Sequence, residues 1–316
     1  MTTTSTTTRR LSWTAASALA FMAPDCLRPA AVALAATPPD EIQLTAIVRD
    51  FRGKSEPDGH PDFERNKKIG AGGLTQGAVQ PGLDTNGKPV FSWGTKVKKG
   101  GSGKNGFKQW TDSEDRPISF AMYELAPAAG DTQGEWDTDS TLSAFTSEAN
   151  FDEWYRDIPG VNLSKTVTLT LTRQADGTYV FDDKTDPVYK KRGGFFPIDG
   201  QLFGNSKVNK NHNYHFTTEV HTRFTYDAAA GQIFRFTGDD DIWVFIDGRL
   251  VIDLAGTHGP VEQFVDMTRL GLVDGKRYTL DIFHAERQTK GSNFRFQTNL
   301  LLADPPVLAT ITGPVD

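Results

Sequence analysis

A single cysteine, Cys26, leaves the 316-residue chain no means of closing a disulfide on itself. A secreted chain without that staple stands on its core, or on an ion that binds only the folded state. Positive charge is scarce as well: 34 Lys and Arg face 40 Asp and Glu, a formal net charge of −6. An acidic balance of this kind offers no electrostatic footprint for nucleic acid. The apolar run Leu11 to Ala23 is too short to stay in a bilayer as a spanning helix. No serine or cysteine stands in a nucleophile elbow or beside a basic partner. Gly100-Gly101-Ser102-Gly103-Lys104-Asn105 is glycine-rich, but no Ser or Thr follows its Gly-Lys and no βα unit surrounds it. That excludes a phosphate-binding loop. Internal repeats, heptads and a second hydrophobic core are absent too.

What is present begins with Arg9-Arg10, the apolar run, and small residues as far as Ala33-Leu34-Ala35-Ala36. A basic start, an apolar middle and an A-x-A-like end predict a secretory signal over residues 1–36. Thr8-Arg9-Arg10-Leu11-Ser12 fits the twin-arginine route and ordinary secretion alike. Cleavage after Ala35 or Ala36 removes Arg9, Arg10, Arg28 and Asp25, taking the formal charge from −6 to −8, and removes Cys26 with them. Residues 304–316, with Pro305-Pro306 and Pro314, read as an unstructured tail. One domain over 37–303 is expected between.

That domain reads as strands. Ile42–Arg49, a short stretch near Val90-Phe91, Ile118–Leu125, Lys165–Thr172, Thr178–Asp182, His215–Tyr226, Gln232–Thr237, Glu262–Met267, Arg277–Glu286 and Asn293–Leu302 all carry strand patterns. Turn signals such as Ala175-Asp176-Gly177 and Asp274-Gly275 separate them, which predicts an antiparallel β-sandwich or barrel. Residues 53–106 read as long loops. One short helix is expected from Thr146-Ser147-Glu148 to about Asp157, where the apolar rhythm changes to three or four residues.

The chain is organised around residues 236–254. Asp247-Gly248 between two apolar runs is a strong hairpin signal. In Ile242-Trp243-Val244-Phe245-Ile246 neither face of the strand suits water, so the strand belongs mid-sheet, covered on both sides. Asp239, Asp240 and Asp241 abut this strand. Three adjacent carboxylates repel, and burial drives each towards its neutral form unless a cation sits among them. Ca²⁺ is the hard, oxygen-seeking choice, and a solvated acidic loop is the alternative.

Other constellations carry less. His212, His215, Glu219 and His221 contain metal-ligating types, but nothing makes four of them converge, so satisfied polar residues are expected. Glu219, Glu262 and Glu286 are available as a glycosidase pair, yet no spacing ties two together. Trp93, Trp110 and Trp136 suit either sugar stacking or plugging of loops.

Several phrases occur together: Gly59-His60-Pro61-Asp62-Phe63-Glu64, Trp154-Tyr155-Arg156-Asp157, Phe195-Phe196-Pro197-Ile198-Asp199-Gly200, His212-Asn213-Tyr214-His215-Phe216-Thr217, Gly238-Asp239-Asp240-Asp241-Ile242-Trp243-Val244-Phe245-Ile246, and Phe283-His284-Ala285-Glu286-Arg287 with Gly291-Ser292-Asn293-Phe294. With these the chain resembles the fibro-slime domain family of secreted bacterial and slime-mould proteins over roughly 41–303. That family is similar to the protective-antigen-type β-sandwich of yeast flocculins and other adhesins. In sugar-binding members of the wider group, two adjacent aspartates joined by a cis peptide hold a Ca²⁺ that holds sugar hydroxyls. The resemblance implies Asp239 and Asp240 as that pair, with Asp240-Asp241 as a second register. It implies Asn293 as a side-chain ligand on the loop 287–293, where the residue alone reads as a left-handed turn. Asp241, His258, Glu286, Arg287 and Ser292 are expected around the ligand, with Glu286 and Arg287 either paired or lining the pocket. The function implied is a secreted, non-catalytic, Ca²⁺-dependent carbohydrate-binding or adhesin domain with extracellular glycans as partners. A matrix or surface-assembly protein with a structural ion comes second, and a carbohydrate-active enzyme last.

Overall fold

The computed structural model describes residues 1–2, 37–64, 74–92, 96–97, 108–135, 137–138 and 145–303. The chain divides into two units, Met1–Thr37 and Pro38–Asp316; the second is the subject below. The expected signal and tail lie outside the described residues, except Met1 and Thr2, as do Trp93, Trp136 and the 100–105 loop.

Twelve strands form the main sheet: β1 Glu41–Phe51, β2 Val79–Leu83, β3 Pro89–Phe91, β4 Asn162–Arg173, β5 Tyr179–Asp182, β6 Phe216–Thr225, β7 Ile233–Gly238, β8 Asp241–Ile246, β9 Arg249–Leu254, β10 Val261–Asp266, β11 Arg277–Glu286 and β12 Phe294–Thr298. Their order across the sheet is β10-β7-β12-β5-β4-β1-β6-β11-β8-β9-β2-β3. The sheet curls until its halves face each other across one core, the β-sandwich expected. Gln263 of β10 reaches across to β9, accepting from Asp253 N at 3.0 Å and donating to Asp253 O at 3.3 Å.

Period-2 alternation builds that core. Ile42, Leu44, Ala46 and Val48 of β1 are buried, while Gln43 and Thr45 between them are exposed. In β8 every residue is buried. Ile242, Val244 and Ile246 enter the main core, whereas Trp243 and Phe245 join a second cluster on the outer face with Phe63, Phe91, Phe145, Phe151 and Trp154. The mid-sheet strand covered on both sides is therefore real. Its hairpin turns through Asp247 at φ 51° and Gly248 at φ 71°, the two positive values that a type I′ turn requires.

Two local readings need correction. The strand expected over Ile118–Leu125 stops at Ile118, and Phe120–Leu125 is helix α1. Ser119 caps it by accepting from Met122 N, and its hydroxyl donates to Val251 O at 2.7 Å, so a cap beats a strand pattern that held good helix formers. The helix expected to reach Asp157 is α2, Glu148–Asp152. Helix α3, Pro187–Arg192, was not anticipated, although Asp186 caps it, proline opens it and Gly193 closes it at φ 79°. Trp110 is fully buried against Phe120. No helix among the described residues is long and apolar enough to cross a membrane.

Candidate functional site

Two corners of the sheet meet at one end. Asp239-Asp240 joins β7 to β8, and residues 287–293 join β11 to β12. They meet because β7 pairs with β12, Gly238 opposite Phe294, while β8 pairs with β11, Asp241 opposite Ala285. The approach is close: a Cβ on Gly238 would lie 2.7 Å from Asn293 O, and one on Gly194 equally near Ser292 O.

The three aspartates go separate ways. Asp239 takes both bonds that Asn293 offers, from its backbone N at 2.6 Å and its Nδ2 at 2.8 Å. Asp240 Oδ2 accepts from Arg287 N at 3.0 Å. Asp241 lies on the outer face, where Arg287 grips it with Nε and Nη2 at 2.5 and 3.0 Å, and it also accepts from Gly256 N at 2.6 Å. The Arg287 guanidinium in turn lies 5.2 Å from the Phe145 ring and 5.1 Å from that of Trp154. All peptide bonds among the described residues are trans, which overturns the cis link expected at Asp239-Asp240 or Asp240-Asp241. With trans links, successive side chains diverge along the strand, and each carboxylate finds a partner in a different direction.

Glu286 completes the cluster from the inner side. Its Oε1 accepts from Gln288 N at 3.1 Å. The Ser292 hydroxyl lies near it and lowers its pKa somewhat, but neither Glu286 Oε2 nor Ser292 Oγ completes a hydrogen bond. Arg287 thus pairs with Asp241 rather than with Glu286. Asn293 is not left-handed; its amide group is a wall of the site. His258, on the loop after β9, lies near Asp239, with its ring nitrogens against Leu254 O and Gly259 O.

Charge does not balance here. Asp239, Asp240, Asp241 and Glu286 are all buried, and Arg287 is the cation bound among them. Burial lifts Asp239 from 3.8 to about 6, against the opposing bonds from Asn293. Burial, with the charges of Asp241 and Asp239, lifts Asp240 to about 8 although Arg287 opposes it. Glu286 is raised well above its usual range by burial, Asp240 and Asp239. Oxygen donors of this kind suit a hard divalent cation, and Glu286 Oε2 is buried there without a hydrogen-bond partner. Among the described residues, however, no three His, Cys, Asp or Glu side chains converge on one metal position.

His284 was missed as a site residue, although it stands in the quoted Phe283-His284-Ala285-Glu286 phrase. Its Nε2–H donates to Asp239 O at 2.9 Å, fixing the corner's backbone. Burial holds it neutral, with a pKa lowered to about 3. His212, His215 and His221 each have polar partners, as expected. His212 stacks on Phe196 with centroids 3.9 Å apart and meets Asp199 at 2.7 Å. His215 meets Glu64 at 3.2 Å, and His221 pairs with both Glu219 and Asp281.

The region carrying both corners has known counterparts. The family model of the PA14 domain matches residues 198–306, so this part of the β-sandwich is PA14-like. Protein psiD of Dictyostelium discoideum is 33% identical over 268 residues, covering 83% of this chain and 42% of that protein. Protein psiQ of the same organism is 37% identical over 175 residues, covering 52% and 17%. This chain therefore spans less than half the length of either relative. The solved PA14 domain of the MpAFP antifreeze protein shares 14% identity over 32% of this chain and 50% of that one, with a TM-score of 0.21. Likeness that low carries no argument about function.

Proposed function

We propose that the chain is a secreted, non-catalytic carbohydrate-binding domain of the adhesin type, of the fibro-slime kind, and that its binding depends on calcium. The observation that carries this reading is the crowding of buried carboxyl groups at the sheet end. Asp239, Asp240 and Glu286 are buried together with their pKa values raised, the state of carboxylates short of a cation. Asp239, Asp240 and the Asn293 side chain would hold the ion, with carbonyls of the 287–293 loop. A bound Ca²⁺ supplies open coordination positions that vicinal sugar hydroxyls can fill. Arg287 keeps Asp241 out of that role by neutralising it on the outer face. His284 and Gly238 hold the corner where Asp239 can serve.

Among the described residues, the three glutamates considered for hydrolysis lie apart from one another. Glu219 is bound to Arg49 and Lys88 on the outer face, Glu262 lies by Thr237 and Arg235 on β7, and Glu286 lies at the site. A pair flanking one cleft is what a glycosidase needs.

A second reading, an extracellular matrix or surface-assembly protein with a purely structural ion, is favoured by one detail: Asn293 already occupies both oxygens of Asp239. Glycan-array binding with calcium and with chelator separates the two. Binding lost to chelator and restored by calcium supports the lectin reading. A chelator-sensitive melting temperature with no glycan bound supports the structural one. Glycan binding unchanged by chelator contradicts both.

A further inference from the structure

The 184–212 segment runs against the charge of the rest of the chain. It holds six basic residues, Lys184, Lys190, Lys191, Arg192, Lys207 and Lys210, and two acidic ones, Asp186 and Asp199, a local balance of +4 in a chain of net charge −6. Both acids are occupied. Asp186 caps α3 by accepting from Val188 N and Tyr189 N, and Asp199 is held by His212 and Asn213 N. All five lysines of the segment are exposed, as is Lys290, and none pairs with a carboxylate among the described residues.

The fold brings this segment to the rim of the candidate site. Phe195 N donates to Ser292 O at 2.9 Å, directly after α3. Asn209, between Lys207 and Lys210, donates through Nδ2 to Thr289 O at 3.5 Å, next to Lys290. The stretches that carry these lysines (the end of α3 and the 205–211 loop) therefore meet the 287–293 loop, which itself holds Lys290 and forms one side of the corner.

We infer that the ligand is an acidic polysaccharide, and that its carboxylate or sulfate groups lie against Lys190, Lys191, Lys207, Lys210 and Lys290. This rests on the lectin reading above and adds the charge class of the glycan. The chemistry is that of exposed ammonium groups: compact cations on flexible stems that meet anions as point charges and steer them in from solution. A neutral glycan would gain no charge attraction from lysines left unpaired beside its site. Duplex DNA suits the site poorly, because its deoxyriboses offer a bound ion no vicinal hydroxyls. Exposed Val188, Leu202 and Val208 lie in the same segment, but they are separated in sequence and none is aromatic, unlike the anchors of a membrane-surface element.

The test uses the full chain with calcium and measures binding to polygalacturonate, dextran sulfate, neutral dextran, duplex DNA and phosphatidylserine vesicles. Three proteins are compared: the unaltered chain, a variant with Lys190, Lys191, Lys207, Lys210 and Lys290 all changed to Gln, and Asp240→Asn. The inference expects an acidic polysaccharide to bind, neutral dextran not to, and the lysine variant to bind at least about tenfold more weakly. Binding should also weaken as salt is raised to about 0.5 M, because screening shortens the reach of exposed charges. Matching melting temperatures confirm that the lysine variant is folded. Equal binding of neutral and acidic chains, unmoved by the lysine changes but abolished by Asp240→Asn, overturns the inference and leaves the lectin reading standing. Acidic binding lost in the lysine variant but indifferent to Asp240→Asn and chelator overturns the calcium site instead. DNA or vesicles bound more tightly than any polysaccharide overturn the inference outright.

Discussion

Two buried charge clusters lie on this sheet, and they differ in one respect. On the outer face of β1, β6 and β11, Glu219 is buried with Arg49 at 3.3 Å, Lys88 at 2.6 Å and His221 at 3.2 Å, and His221 continues to Asp281. Burial pushes Glu219 up, but His221, Arg49 and Lys88 together bring it below its usual value. At the sheet end, Asp240 and Glu286 are buried too, and both are raised by burial and by the neighbouring acids, with Arg287 paired to Asp241. Burial alone therefore does not mark a site; burial without compensation does. The first cluster ties the segment around Lys88 and the Asp157 turn to the sheet. The second holds carboxyls that burial pushes towards their neutral form.

The comparison breaks most severely at Arg287. Arg287→Met strands Asp241 against the aromatic floor, and stability measured by urea unfolding should fall by about 3–5 kcal/mol. Glu219→Gln should cost about 2 kcal/mol by leaving Arg49 and Lys88 short of a partner, and added calcium should not restore it. Asp240→Asn should act oppositely. By sparing the folded chain the proton that Asp240 must take up there, it should raise the stability of the calcium-free protein by about 1–2 kcal/mol at neutral pH, seen as a higher melting temperature.

Acidity sharpens the contrast. Asp239 and Asp240 hold their protons to about 6 and about 8 in the folded chain, against 3.8 when unfolded. Between pH 3.8 and those values the folded state binds more protons than the unfolded one, so calcium-free stability should fall as pH rises through that window. The rise in melting temperature on adding calcium should grow over the same window, because protons and the ion compete for the same oxygens. A calcium effect that is flat with pH would contradict this. His221 is a smaller case. Despite burial, Asp281 and Glu219 raise its pKa from 6.5 to about 9. Its stabilising contribution is complete below 6.5 and lost as pH passes 9, so His221→Gln should flatten the loss of stability over that range.

Much of the fold could be read from local pattern. Strand β11 runs over Arg277–Glu286 as its apolar alternation indicated, and the Asp247-Gly248 turn follows from a backbone preference the two residues carry themselves. Helix α1 was misread because Phe120, Ala121 and Tyr123 sit as well in a strand as in a helix, and the choice was made by the cap at Ser119, which is anchored to Val251, 132 residues away. The site was legible as a place but not as an arrangement. Asp239, Asp240, Asn293, Glu286 and Ser292 do gather at one end, since the pairing of β7 with β12 and of β8 with β11 brings their two loops together. That Arg287 would neutralise Asp241 depends on which face each residue takes, and a cis link would have changed that face. His284 was hidden because its role is a bond to a backbone carbonyl, which no side-chain pattern announces.

The central claim is that the buried acids at Asp239 and Asp240 require a divalent cation. Its most direct test is thermal unfolding of the full chain and of Asp240→Asn at about pH 7.5, with calcium titrated after chelation, since a ligand that binds only the folded state raises its melting temperature by mass action. The account predicts a saturable rise for the unaltered chain and none for Asp240→Asn. Melting curves that superimpose with and without calcium in the unaltered chain would contradict it.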